Sequence, residues 1–187
     1  MLPDPSPSRI EALVDLARSG DGEAFGALYD HYVAAIHRYL YYRVANPVLA
    51  EDLTSETFFR ALRSIESFHW QGKDFGAWLT TIARNLVTDH FKSSRSRREV
   101  VSDVLPEQAH PGPGPEARAL SALTSQQLVT ALRQLGPKQQ DCLVMRFLQG
   151  LSISDTARAM GRTEGAVKQL QLRAIRTLTK HLPEESP

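Results

Sequence analysis

The run Pro111-Gly-Pro-Gly-Pro115 constrains this chain more than any other part of it. Proline fixes φ and has no backbone N–H to donate, so neither a helix nor a central strand passes through such a run. Pro106 and the polar residues from Glu99 to about Thr124 extend the interruption and offer little to bury. A semi-flexible tether of about 25 residues is therefore expected over 99–123. Any core has to be built from the two flanks.

Both flanks read as helices. Phe25, Leu28, Tyr29, Tyr32, Val33, Ile36 and Leu40 recur at three- and four-residue spacing, which lays one apolar stripe along a helix. Asn46-Pro47 supplies a cap and a first-turn proline for a second helix, striped by Leu49, Leu53, Phe58, Leu62 and Ile65. A third opens near Asp74 and carries Phe75, Trp78, Leu79, Ile82, Leu86, Val87 and Phe91, after which the pattern stops at Lys92-Ser-Ser-Arg-Ser-Arg-Arg98. Glu66 to Lys73 is a loop in which Phe68 and Trp70 have no stripe to join. Beyond the tether, Leu128, Leu132 and Leu135 mark a helix ending at Gly136, and Pro137 starts another through Cys142, Leu143, Met145, Phe147 and Leu148 to Gly150. No alternating strand pattern and no repeat is present. The expected fold is all-α, two small helical domains on a flexible linker: an extension 1–19, a domain 20–98, the linker 99–123, a domain 124–182 and a tail 183–187.

With 42% hydrophobic and 23% charged residues among 187, the chain is globular rather than disordered or fibrous. A net charge of +1 leaves any electrostatic function to the distribution of charge. The single cysteine, Cys142, forms no internal disulfide, no run is long enough to span a membrane, and Met1 to Ile10 has no signal-peptide core, so a cytoplasmic location is expected. The six histidines are scattered, without His-Glu-x-x-His or paired-cysteine spacing, and there is no glycine-rich phosphate loop. No metal, cofactor or catalytic residue is expected, and Cys142 reads as a small buried residue.

Ser152 with Asp155 has the form of a capping box for a short helix, Ile153 to Met160; Gly161 breaks it and Thr163 caps a longer helix with Val167, Leu170, Ala174, Ile175 and Leu178 inward. This is the layout of a helix-turn-helix. From Arg162 to His181 there are five cations against one acid, and Lys168, Gln169, Gln171, Arg173 and Arg176 lie on the outer face. Such side chains make paired hydrogen bonds to base edges and neutralise phosphates. A solvated basic hairpin is the competing reading.

In the first domain, Glu51, Asp52 and Glu56 gather near the start of the second helix, which suits the helix dipole and equally suits docking on a basic protein. The third helix turns basic, with Arg84, Lys92, Arg95, Arg97 and Arg98 against Asp89, and bears Asn85 as a potential base reader beside the aromatic loop. Rings stack on unpaired bases and cations follow the backbone. Phe68 and Trp70 closing the core is the alternative.

Ala50-Glu-Asp-Leu-Thr-Ser-Glu-Thr-Phe58, Phe75-Gly-Ala-Trp-Leu-Thr-Thr-Ile-Ala-Arg-Asn85 and Gly150-Leu-Ser-Ile-Ser-Asp-Thr-Ala followed by Gly165-Ala-Val-Lys168 resemble, in order and spacing, the bacterial RNA polymerase sigma factors of the extracytoplasmic function (ECF, group IV) type in the sigma-70 family. The resemblance covers roughly 20–98 and 124–182. It implies a subunit that binds core RNA polymerase, directs it to promoters and promotes melting. Glu51, Asp52, Glu56 and Phe58 then correspond to the surface that docks on the clamp coiled coil of the largest subunit, the flap of the second largest being a further contact. Phe68, His69, Trp70, Gln71 and Lys73, with Arg84, Asn85 and Lys92, correspond to the minus-ten reader that captures a flipped base, so that binding drives melting. Arg162, Thr163, Lys168, Gln169, Leu172, Arg173 and Arg176 correspond to the minus-thirty-five reader. Trp78 matches a core position. Ser55 and Gln171 depart from the family's usual Gln and Leu. Promoter DNA and a dedicated anti-sigma protein, often membrane-bound, are the other implied partners. A stand-alone helix-turn-helix regulator with a ligand or dimerisation domain is the runner-up, and predicts dimers on palindromic duplex sites without polymerase.

Overall fold

In the computed structural model the described residues are 7–70, 74–97 and 127–180, and every regular element among them is a helix. Helix α1 spans Pro7–Arg18, inside what reads by sequence as a plain extension. Its Ile10, Val14 and Ala17 are buried at helical spacing, and it packs on α2, Gly22–Val44. Asp21 caps α2 by accepting the N–H groups of Glu23 and Ala24 at 2.9 and 3.0 Å.

Helix α3, Pro47–Ser64, follows from the expected Asn46 cap, whose oxygen accepts the Leu49 N–H at 3.0 Å. Ala50, Leu53, Thr54, Thr57, Phe58 and Ala61 form its buried face, whereas Leu62 is exposed. A 3-10 turn, Ile65–Ser67, leads towards α4, Phe75–Arg97, where Asp74 accepts the Ala77 N–H at 3.0 Å. Helix α4 continues beyond Phe91, where the apolar pattern stops, because Lys, Ser and Arg tolerate a helix and no breaker intervenes. Helices α2, α3 and α4 pack in all three pairings around Leu28, Ile36, Tyr39, Leu40, Phe75, Leu79 and Val87.

The C-terminal module comprises α5 (described over 127–133), α6 (Pro137–Leu143), α7 (Ile153–Met160) and α8 (Glu164–Thr179). The helix expected to run from Pro137 to Gly150 is α6 followed by a π turn, Val144–Leu148, with the Gln149 N–H donating to the Val144 carbonyl. The two modules touch: α4 packs on α7 and α2 on the π turn, and one cluster of buried apolar side chains runs through both. The expected linker 99–123 and tail 183–187 lie outside the described residues.

Candidate nucleic-acid interface

The helix-turn-helix is locally determined. Ser152 Oγ accepts the Asp155 N–H at 3.0 Å and lies 2.6 Å from Asp155 Oδ2, which opens α7. Gly161 closes it at φ 61°, a left-handed conformation that glycine adopts without steric cost. Thr163 Oγ1 accepts the Ala166 N–H at 3.2 Å, so this hydroxyl caps α8. Val167 and Ala174 are buried. Arg162, Thr163, Lys168, Gln169, Leu172, Arg173 and Arg176 are all exposed, which places the expected reader residues together on α8 and the turn before it. Gln171 does not share that face: half-buried, it accepts a hydrogen bond from Arg146 Nε at 3.2 Å, and Arg146 also donates to the Leu151 carbonyl. It braces α8 against the π turn.

On α3, Glu51 and Asp52 are exposed, and Glu56 accepts from Arg60 Nε at 2.7 Å. Phe58, expected on the docking surface, instead lies in the core at 4% exposure, edge-on to Tyr29 at 4.7 Å. The exposed aromatic is its neighbour Phe59, under the Arg63 guanidinium at 5.6 Å. With Val48 and Leu62 also exposed, the acids of α3 adjoin an apolar surface. Successive helical residues point about 100° apart, and the buried face that takes Thr57 and Phe58 turns away from Phe59.

Phe68 is likewise a core residue, 2% exposed, with Trp70, Phe75 and Trp78 rings 5.2, 5.3 and 5.1 Å away. The core-closing alternative therefore describes Phe68, and Trp78 packs as expected. Trp70 is half-buried, and its buried Nε1 has no acceptor among the described residues. His69 is exposed, its Nδ1 2.7 Å from the Ser67 carbonyl. Gln71 and Lys73 lie outside the described residues. Asn85 and Lys92 are exposed on α4, two turns apart and so on one face.

Arg84 is engaged with the other module: its Nε donates to Asp141 Oδ2 at 3.0 Å. Asp141 Oδ1 accepts from Arg43 Nε at 2.5 Å and from the Tyr39 hydroxyl at 3.2 Å. Arg43 also donates to Gln140, whose Nε2 donates to the Tyr42 carbonyl at 3.0 Å. Nearby, Gln149 accepts from Thr80 at 2.7 Å and donates to the Ala35 carbonyl at 2.6 Å, and Arg38 donates to the Leu148 carbonyl at 2.8 Å. Burial, reinforced by the Asp141 carboxylate against the opposing pull of Arg43 and Arg84, holds the Tyr39 phenol well above its ordinary range, so it stays protonated as a donor. Sequence reading missed this cluster; a lone acid within the apolar run after Pro137 was its only local signal. Cys142 is fully buried and burial raises its thiol pKa, while no group of three or more potential metal ligands occurs among the described residues.

The Sigma-70 region 2 family matches residues 28–97, and the Sigma-70, region 4 family matches residues 125–184. The ECF RNA polymerase sigma factor BldN of Streptomyces coelicolor is 52% identical over 183 residues, 98% of this chain and 69% of the relative. The ECF RNA polymerase sigma factor SigX of Bacillus subtilis is 30% identical over 168 residues, 86% of this chain and 84% of the relative. The sigma factor RpoE of Bartonella quintana, solved with the anti-sigma factor NepR, shares the fold at a TM-score of 0.71 and 23% identity, over 87% of this chain and 98% of that one. The chain belongs to the ECF RNA polymerase sigma factors of the sigma-70 family.

Proposed function

We propose that this protein binds core RNA polymerase, directs it to specific promoters and promotes strand separation there without chemistry of its own. The exposed row of Lys168, Gln169, Leu172, Arg173 and Arg176 on a helix fixed by Gly161 and Thr163 carries this reading. That face suits major-groove contact at the minus-thirty-five element, with Arg162 and Thr163 at its entry. Asn85, Lys92, His69 and Trp70, with Gln71 and Lys73 next to them in sequence, suit the melted minus-ten strand, the half-buried Trp70 ring offering a face on which a base can stack. Phe68 supports the loop from the core.

Glu51, Asp52 and Glu56 suit docking on the clamp of the largest polymerase subunit, with Phe59 rather than Phe58 as the aromatic contact and the flap of the second-largest subunit holding region 4. The stretch 98–124 between the matched regions has room for a linker and not for a further helical domain, in keeping with group IV. An anti-sigma protein is a fitting regulator, since the structurally similar RpoE was solved with one.

Run-off transcription on genomic promoters tests the reading. Core polymerase with this chain should yield promoter-specific transcripts that core alone does not, and Asp52→Arg should abolish both transcripts and co-purification with core. A dimer that binds palindromic duplex tightly and yields no transcripts would establish the stand-alone regulator instead.

A further inference from the structure

Viewed from region 2, Arg43 of α2, Arg84 of α4 and the Tyr39 hydroxyl converge as donors on one two-oxygen anion. That anion is Asp141 of region 4, whose side chain is 4% exposed. Guanidiniums that meet paired oxygens in this way also suit a phosphate, which has the same charge sign and donor-accepting geometry. If the carboxylate withdraws, two like charges face each other without a counter-ion, a cost that another anion relieves. Asn85, exposed beside Arg84 on α4, puts the cluster next to the candidate strand-binding face.

The closed molecule cannot itself span a promoter. Elements centred near minus ten and minus thirty-five are about 25 base pairs, roughly 85 Å, apart along B-DNA. A compact chain of 187 residues has a radius of gyration of about 16 Å. Region 4 must leave region 2 for both readers to engage, and Asp141 leaves with it.

We infer that Arg43, Arg84 and Tyr39 form a slot for a backbone phosphate of the melted promoter strand, filled in the closed molecule by Asp141 as an internal competitor of DNA. The inference rests on the proposed role of region 2 in strand binding. Closure and strand binding then exclude each other at one pair of arginines, so opening by polymerase uncovers a DNA contact at the moment it is needed.

Fluorescence anisotropy with a short labelled single strand tests it on the full chain. Asp141→Asn should bind the strand about tenfold or more tightly than wild type, with a salt dependence steeper by roughly 0.7 in log–log slope for the one added phosphate contact. Adding Arg43→Gln to Asp141→Asn should return the affinity to that of wild type. Gln149→Ala, which removes uncharged contacts between the modules, should also raise affinity in an Arg43-dependent way, and keeps the test decisive if thermal melting shows Asp141→Asn to be unfolded. Unchanged affinity in the folded loosened variants, or a gain that survives Arg43→Gln, overturns the slot. Run-off transcription separates the two readings: transcripts with no Arg43-dependent gain refute only the slot, whereas their absence from wild type with core refutes the proposed function.

Discussion

Tyr32 leaves no room for a side chain at position 76. A Cβ built on Gly76 lies 2.8 Å from Tyr32 Cε1 and 3.0 Å from Asp74 Oδ1, and the Tyr32 ring is backed by Phe75 at 5.5 Å. Neither neighbour yields cheaply, since Asp74 also caps α4. Gly76→Ala should therefore cost about 1–3 kcal/mol, the range for overpacking. Thermal denaturation should show this as a fall of about 2–4 °C per kcal/mol; an unchanged midpoint would contradict the packing account. The same close approach explains why a glycine directly follows Phe75. Asp141 shows the converse at residue scale: a single buried acid draws two arginines and a tyrosine from another module, and an apolar residue in its place would leave both cations without a counter-ion.

Among the elements, α8 carries the sharpest expectation. The Lys168 and Arg173 side chains are exposed and make no hydrogen bond or ion pair among the described residues, so Lys168→Ala with Arg173→Ala should lower promoter-specific transcription at least about tenfold, each lost base or phosphate contact being worth about 1–3 kcal/mol. Co-purification with core polymerase should persist; its loss would mean that this helix faces protein. What made α8 legible in sequence is that its determinants are local: the Ser152 and Thr163 caps and the Gly161 turn each act within a few residues. The Asn46 cap is readable for the same reason. Helix α1 was missed although Ile10, Val14 and Ala17 keep helical spacing, because the prolines before it read as a tail. The apolar stripe of α3 includes Phe58, which is core; its place on the docking surface came from the resemblance alone, and the structure does not support it. The Arg43–Asp141 pairing was out of reach, for it depends on how two modules nearly a hundred positions apart in sequence come to pack.

At the scale of the whole molecule, the two candidate DNA readers sit on one packed body, with α4 of region 2 against α7 of region 4. A promoter asks for them about 85 Å apart at 3.4 Å per base pair. Polymerase is then the agent that separates and spaces the readers, and the chain alone should bind duplex DNA weakly. Energy transfer between labels at Ser93→Cys on α4 and Thr179→Cys on α8 tests this most directly; both positions are exposed, and the only native thiol, Cys142, is buried. Transfer should be efficient in the free chain and fall steeply when core polymerase and promoter DNA are added. Equal transfer in the two states would contradict the account.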